Sequence, residues 1–181
     1  MGSVAELSII EQLLPGVTLL QCPHYTDHRG DFTKLFHADA LHAIDLTFTP
    51  AESFLTRSRS GVLRGMHFQV GDAAQDKLVF CPKGHVLDVV VDVRPGSAQF
   101  NKPVAVELSD NASTALLIRK GYGHGFLALA DDSWMLYYTS TVHCPALDRG
   151  VLWSSIDFDW PIEQPIISDR DRKHPPIQAM Q

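Results

Sequence analysis

The chain has 181 residues, of which 45% are hydrophobic and 20% charged, and its formal net charge is −6. That length and apolar fraction suit one domain, residues 1–181, with a sizeable core. An acidic chain without a long Lys/Arg run argues against nucleic acid as a partner. No apolar run reaches the roughly 20 residues that a membrane-spanning helix needs, so no membrane partner is expected.

The opening MGSVAELSIIEQLL carries Glu6 and Glu11 and has no basic segment, unlike a secretory signal. Cys22, Cys81 and Cys144 are odd in number, far apart and form no CxxC pair. They read as reduced structural thiols of a cytoplasmic protein. Ser3 and Glu6 make a capping box, which predicts an amphipathic helix to about Leu14, stopped by Pro15-Gly16.

The helical period then fades. Short apolar, β-branched or aromatic runs predict strands over Val17–Cys22, Asp31–Phe36, Leu46–Leu55, Val62–Gln69, Lys77–Cys81, His85–Val93, Pro103–Leu108, Ala115–Ile118, Gly125–Ala130 and Ser133–Val142. Turn formers such as Arg29-Gly30, Pro82-Lys83-Gly84, Pro95-Gly96 and Asp110-Asn111 separate them. A short helix is expected near Ala38–Ile44, and the Pro-rich, charged tail from Ile162 should wrap the surface. This pattern predicts an all-β sandwich or barrel of antiparallel strands with short peripheral helices. Val89, Val91, Phe126 and Leu136 are expected to line or pack around its one ligand cavity.

Asp88 and Asp92 interrupt the apolar run Val86–Val93 and share one face of a strand. They are either solvated carboxylates at an edge, or Asp88 orients a histidine across the barrel. Polar residues also concentrate at Arg64, His67 and Gln69, at Lys77, at His124 and around Tyr137. Arg64 and His67 are three apart, so a regular strand turns them to opposite faces; Gly65 permits a bulge that changes this. The nine histidines include no HxH, HxxE or HExxH, and His67, His85 and His124 are single and widely separated. No metal is therefore expected. No nucleophile elbow or phosphate loop is present either.

GVLRGMHFQ at Gly61–Gln69 resembles the signature of the dTDP-4-dehydrorhamnose 3,5-epimerase family. The similarity continues in order through DHRGDF (Asp27–Phe32), QDKLV (Gln75–Val79), GHVLDVVVDVRPGS (Gly84–Ser97), LSDNAS (Leu108–Ser113), GYGHGF (Gly121–Phe126), MLYYTS (Met135–Ser140), RGVLW (Arg149–Trp153), FDWP (Phe158–Pro161) and ISDRD (Ile167–Asp171). It spans about Gly16 to Pro176. The ordered set is far more specific than any one motif. The resemblance implies a cupin-like jelly roll, a homodimer, no cofactor and no metal. It also implies a nucleotide-diphosphate 4-keto sugar as substrate, inverted at carbons next to the ketone.

Inversion there needs a base on one face, an acid on the other and a group that stabilises the enolate oxygen. By resemblance His67 is the base and Asp171 its orienting partner, Tyr137 the acid and Lys77 the enolate stabiliser. Lys77 is also expected to make the Tyr137 phenolate more accessible, and Tyr138 to point away from the cavity. The resemblance also places His124 beside Lys77, held by Asp88. Arg64 and Arg29 resemble diphosphate ligands, Arg29 being able to reach the other subunit's site. Gln69 is expected to join the substrate-binding set, and Arg170, in place of a usual lysine, is expected to be able to meet phosphate.

Several positions depart from the family pattern. Glu52, Phe54 and Thr56 replace a Gln-x-Asn-x-Ser pattern, and Lys34 replaces a glutamate. Val142-His143 replaces a tyrosine pair, and Ser154-Ser155-Ile156 replaces Asn-Asp-Pro. The catalytic set is intact while the substrate-reading shell differs, which points to another nucleotide sugar or to inversion at one carbon. Two alternatives stay open: a 3,4-ketoisomerase on a related sugar nucleotide, and a catalytically silent sugar-nucleotide-binding protein.

Overall fold

The structure is a computed structural model that describes residues 6–181. Strands β1 (Ser8–Leu14) and β2 (Val17–Gln21) form one hairpin, and β3 (His24–Asp27) and β4 (Gly30–Thr33) a second. A short helix, α1 (Ala38–His42), leads into β5 (Glu52–Ser58), β6 (Leu63–Gln69), β7 (Lys77–Lys83), β8 (His85–Asp92) and β9 (Pro103–Ser109). Then come β10 (Thr114–Ile118), β11 (Tyr122–Ala128), β12 (Ser133–Thr139), β13 (Asp148–Gly150) and, in the C-terminal tail, α2 (Asp169–Arg172).

Two antiparallel sheets face each other. One has the order β1-β2-β10-β7-β12-β5, the other β13-β6-β11-β8-β9. Side chains alternate along each strand, and this alternation builds three cores. Val79, Cys81, Val86, Val90, Leu116, Ile118, Phe126 and Met135 point between the sheets. Leu20, Leu78, Phe80 and Leu117 point outward from the six-stranded sheet, under Leu41 and Phe48. Met66, Phe68, Val89 and Val91 point outward from the five-stranded sheet, under Val151, Ile156 and Ile177. Fully burying side chains of this size contributes roughly 1.5–3 kcal/mol each, so the tail is part of the core as well as a wrap.

The structure departs from the sequence-based expectations at three places. Ser3 of the predicted capping box lies outside the described residues, but Ser8–Leu14 is a strand, not a helix. The unpaired edge of β2 supplies its backbone partners, and sheet pairing overrides helix propensity. The strand predicted from Leu46 begins only at Glu52, because Leu46 and Phe48 cover the outer face of the six-stranded sheet. Val89, Val91 and Leu136 do not line the cavity; all three sit on outward faces, and Phe126 packs in the core between the sheets.

Candidate active site

A cavity of about 420 Å³ opens between the sheets. His67 and Arg64 of β6 and His124 of β11 enter from the five-stranded sheet. Tyr137 of β12, Lys77 of β7, and Glu52, Phe54 and Thr56 of β5 enter from the six-stranded sheet. The tail closes one side with Ser168, Arg170 and Asp171.

A bulge brings Arg64 and His67 to the same cavity. His67 pairs with His124 and Arg64 with Phe126, so Gly65 and Met66 oppose the single residue Gly125. The strands touch backbone to backbone there: a Cβ on Gly65 would lie 2.6 Å from Gly125 Cα, and Gly65 itself has φ +145°. Only glycine satisfies both demands.

His67 Nε2 lies 2.8 Å from Asp171 Oδ1. Ser168 caps α2 by accepting from the Asp171 N–H, and Asp171 Oδ2 accepts from the Gly65 N–H. Burial pushes the Asp171 carboxyl up, but the His67 hydrogen bond and charge, with the Gly65 and Ser168 contacts, outweigh it. Asp171 is thus an anion and His67 Nε2–H donates to it, which leaves Nδ1 as the ring's acceptor.

Lys77 is buried and its Nζ donates to the His67 carbonyl at 3.0 Å. Burial lowers its pKa to about 8, against the opposing pull of Asp88 and Asp148. Asp88 is fully buried, and both of its oxygens lie 2.9 Å from His124 Nε2. Of the two readings left open for Asp88, the histidine-holding one fits. Asp92 is also buried, paired with Arg94 and Ser97. A buried carboxylate without such partners would cost several kcal/mol. Burial lowers the His124 pKa despite Asp88, so the ring is neutral near pH 7.

Tyr137 is buried and stacks on Phe54, with ring centroids 4.5 Å apart and planes 12° apart. Burial, then the Asp88 charge, hold its pKa well above the usual phenol value. This corrects the expectation that Lys77 makes the phenolate accessible: Tyr137 is a firmly protonated donor. Tyr138 points to the opposite face of the sheet, against Phe36 and Phe80.

Some sequence-selected residues sit elsewhere or are otherwise engaged. Arg29 is at the exposed tip of the β3–β4 hairpin, paired with Asp27 at 2.6 Å and outside this chain's cavity. The Gln69 amide is occupied by backbone groups of Ala73, Val142 and Cys144 and by Gln75, so it positions loops around the site. Arg170 reaches the cavity but is paired with Asp148 at 2.6 Å. Arg64 donates to Ser58 and to the Arg57 carbonyl at the cavity wall.

His143, marked in the sequence only as a departure from the family pattern, lies at the cavity together with Asp148, and His174 stands beside Asp171; the sequence had singled out neither Asp148 nor His174. Glu52 accepts from the His143 N–H, and His143 and Arg170 both meet Asp148, forming a polar rim. His174 comes to 3.6 Å from Asp171 Oδ1, so the histidines are less scattered than their spacing implied. The available signal was an Asp-x-x-His spacing, which places His174 just past the end of α2.

The two-sheet fold and this cavity, with a histidine–carboxylate pair on one wall and a phenol and an ammonium on the other, define a cupin-like jelly-roll enzyme of acid–base type. The model of dTDP-4-dehydrorhamnose 3,5-epimerase matches residues 11–179. The chain belongs to the dTDP-4-dehydrorhamnose 3,5-epimerase family. It is 39% identical to the enzyme of that name from Escherichia coli over 158 residues, 86% of this chain and 85% of the relative. NovW, a 4-keto-6-deoxy sugar epimerase from Streptomyces spheroides, superposes with a TM-score of 0.92 at 31% identity, covering 99% of this chain and 92% of that one. ChmJ, a 3′-monoepimerase from Streptomyces bikiniensis solved with dTDP-quinovose, gives 0.86 at 31% identity, covering 92% and 86%.

Proposed function

We propose that the chain inverts C3, C5 or both of a nucleotide-diphosphate-linked 4-keto-6-deoxyhexose. The observation that carries this reading is the placement of His67 with Asp171 on one sheet's side of the cavity and Tyr137 on the other sheet. His67 Nδ1 takes a proton from a carbon next to the ketone. The electron pair moves to the ketone oxygen, where the Lys77 ammonium stabilises the enolate. Tyr137 O–H then protonates the carbon from the opposite face, and the hydrogen-bonded Asp171 stabilises the His67 imidazolium. Arg64 serves the diphosphate.

The dTDP ligand of the ChmJ neighbour supports a nucleotide-linked substrate. Phe54 over Tyr137 and Glu52 tied to His143 support a sugar pocket that differs from the family pattern. A homodimer is part of the reading, supported by the exposed Ile9 and Ile10 on β1 and by the exposed Arg29 hairpin. A single domain in the cytoplasm is also part of it, supported by the continuous sandwich and three free cysteines. No helix among the described residues is long and apolar enough to cross a membrane.

The test incubates 4-keto-6-deoxy sugars linked to dTDP, GDP, CDP and UDP with the protein in deuterated water. Deuterium at C3 or C5 with inverted configuration by NMR is expected for at least one. A moved carbonyl would favour the ketoisomerase, and binding without exchange the silent protein.

A further inference from the structure

Asp171 is shared by two imidazoles. His67 Nε2 lies 2.8 Å and His174 Nε2 3.6 Å from the same oxygen, Oδ1. The donor atoms of all three residues lie within 4.8 Å of one another. The His174 ring is held flat against Gly150, where any added Cβ would collide with it. Its Nε2 is buried without a hydrogen-bond partner, a costly state for a polar atom that a ligand would relieve.

We propose that His67, Asp171 and His174 form a binding site for one divalent transition-metal ion of the zinc type, and that its occupancy silences the base. Tetrahedral zinc with bonds of about 2.0–2.2 Å places its ligand atoms about 3.4 Å apart. The observed 2.8 and 3.6 Å bracket that value. Two imidazoles and one carboxylate suit zinc and not magnesium or calcium, which prefer oxygen.

The silencing follows from tautomer bookkeeping. To act as a base through Nδ1, His67 must carry its single ring proton on Nε2, the nitrogen that meets Asp171 at 2.8 Å. A metal ion takes the Nε2 lone pair, so the same proton moves to Nδ1. No atom is lost, but the nitrogen that accepts the substrate's proton no longer can. Silencing rests on the proposed epimerase reading; binding does not.

The experiment titrates Zn²⁺ into the full, chelator-stripped chain against a chromophoric chelator. One equivalent should bind with micromolar or tighter affinity. His174→Gln and Asp171→Asn should each weaken it at least about tenfold, with the fold checked by circular dichroism. His85→Gln, at the exposed His85–Glu107 pair, should leave it unchanged. Anomalous diffraction at the zinc edge should place the ion on the three side chains. Added Zn²⁺ should stop solvent-deuterium exchange into the 4-keto sugar, and EDTA should restore it. Unchanged affinity in both site variants overturns the site. Zinc at the site with exchange intact overturns the silencing. Metal-free protein that exchanges no sugar nucleotide sinks the epimerase reading and the silencing together, while the titration still decides the site.

Discussion

His67 Nε2 and Asp171 Oδ1 meet at 2.8 Å across 104 residues of sequence. A strand carries one, a four-residue helix in the tail carries the other, and the Ser168 cap sets the helix start. Asp171→Asn keeps the size of the side chain but removes the charge that fixes the tautomer. Exchange of the substrate α-hydrogen should fall by about 10²–10⁴-fold, with an unchanged circular dichroism spectrum. A rate within a few-fold of wild type would remove Asp171 from the base.

Tyr137 and Tyr138 give a test that separates two proton transfers. Tyr137→Phe leaves His67 able to exchange the α-hydrogen with solvent but removes the donor on the other sheet. Deuterium incorporation should persist while inverted product drops sharply, both read by NMR. Tyr138→Phe alters only the outer packing near Phe36 and Phe80 and should change neither. Wild-type inversion by folded Tyr137→Phe would reduce Tyr137 to a packed core residue.

Lys77 is expected to set an alkaline limit. Its ammonium loses its proton at about 8 in the fold and at about 10.5 in the unfolded chain. Between those values the unfolded chain binds the extra proton, so stability rises with pH across that window. Below it the buried charge costs on the order of 3 kcal/mol. Turnover should therefore decline as pH rises through about 8, while the thermal midpoint rises. Lys77→Met should gain a few degrees at pH 7 by calorimetry and lose roughly 10²-fold or more in rate. A pH–rate profile flat from 7 to 9 would count against charged Lys77 as the enolate stabiliser.

Gly65→Ala is expected to destabilise the protein by more than about 2 kcal/mol, read as a lower urea midpoint. The added Cβ meets the Gly125 backbone, and alanine resists the positive φ. Surviving protein should have low activity, because the bulge that aims Arg64 and His67 into one cavity is displaced. Wild-type stability would show that β6 and β11 can part without cost.

Short apolar runs bounded by turn formers determined most of the strands, and hence most of the sandwich. The runs at Val86–Val93 and Ala115–Ile118 are strands largely as expected, and apart from Asp88 and Asp92 they are apolar throughout because each is buried on both faces. The ordered motifs likewise marked His67, Lys77, His124, Tyr137 and Asp171, all brought together by the fold. What local pattern lacks is knowledge of partners. Ser8–Leu14 is a strand only because β2 has an open edge, and Arg64 joins His67 only because β6 bulges against Gly125. Burial is likewise a property of the assembled sheets: it keeps Tyr137 protonated and lowers the Lys77 pKa. The Asp-x-x-His spacing alone does not say that the turn after α2 brings His174 to Asp171. Alternation along a strand is set by neighbouring residues, whereas register, desolvation and convergence depend on residues a hundred positions away, so only the tertiary structure could decide them.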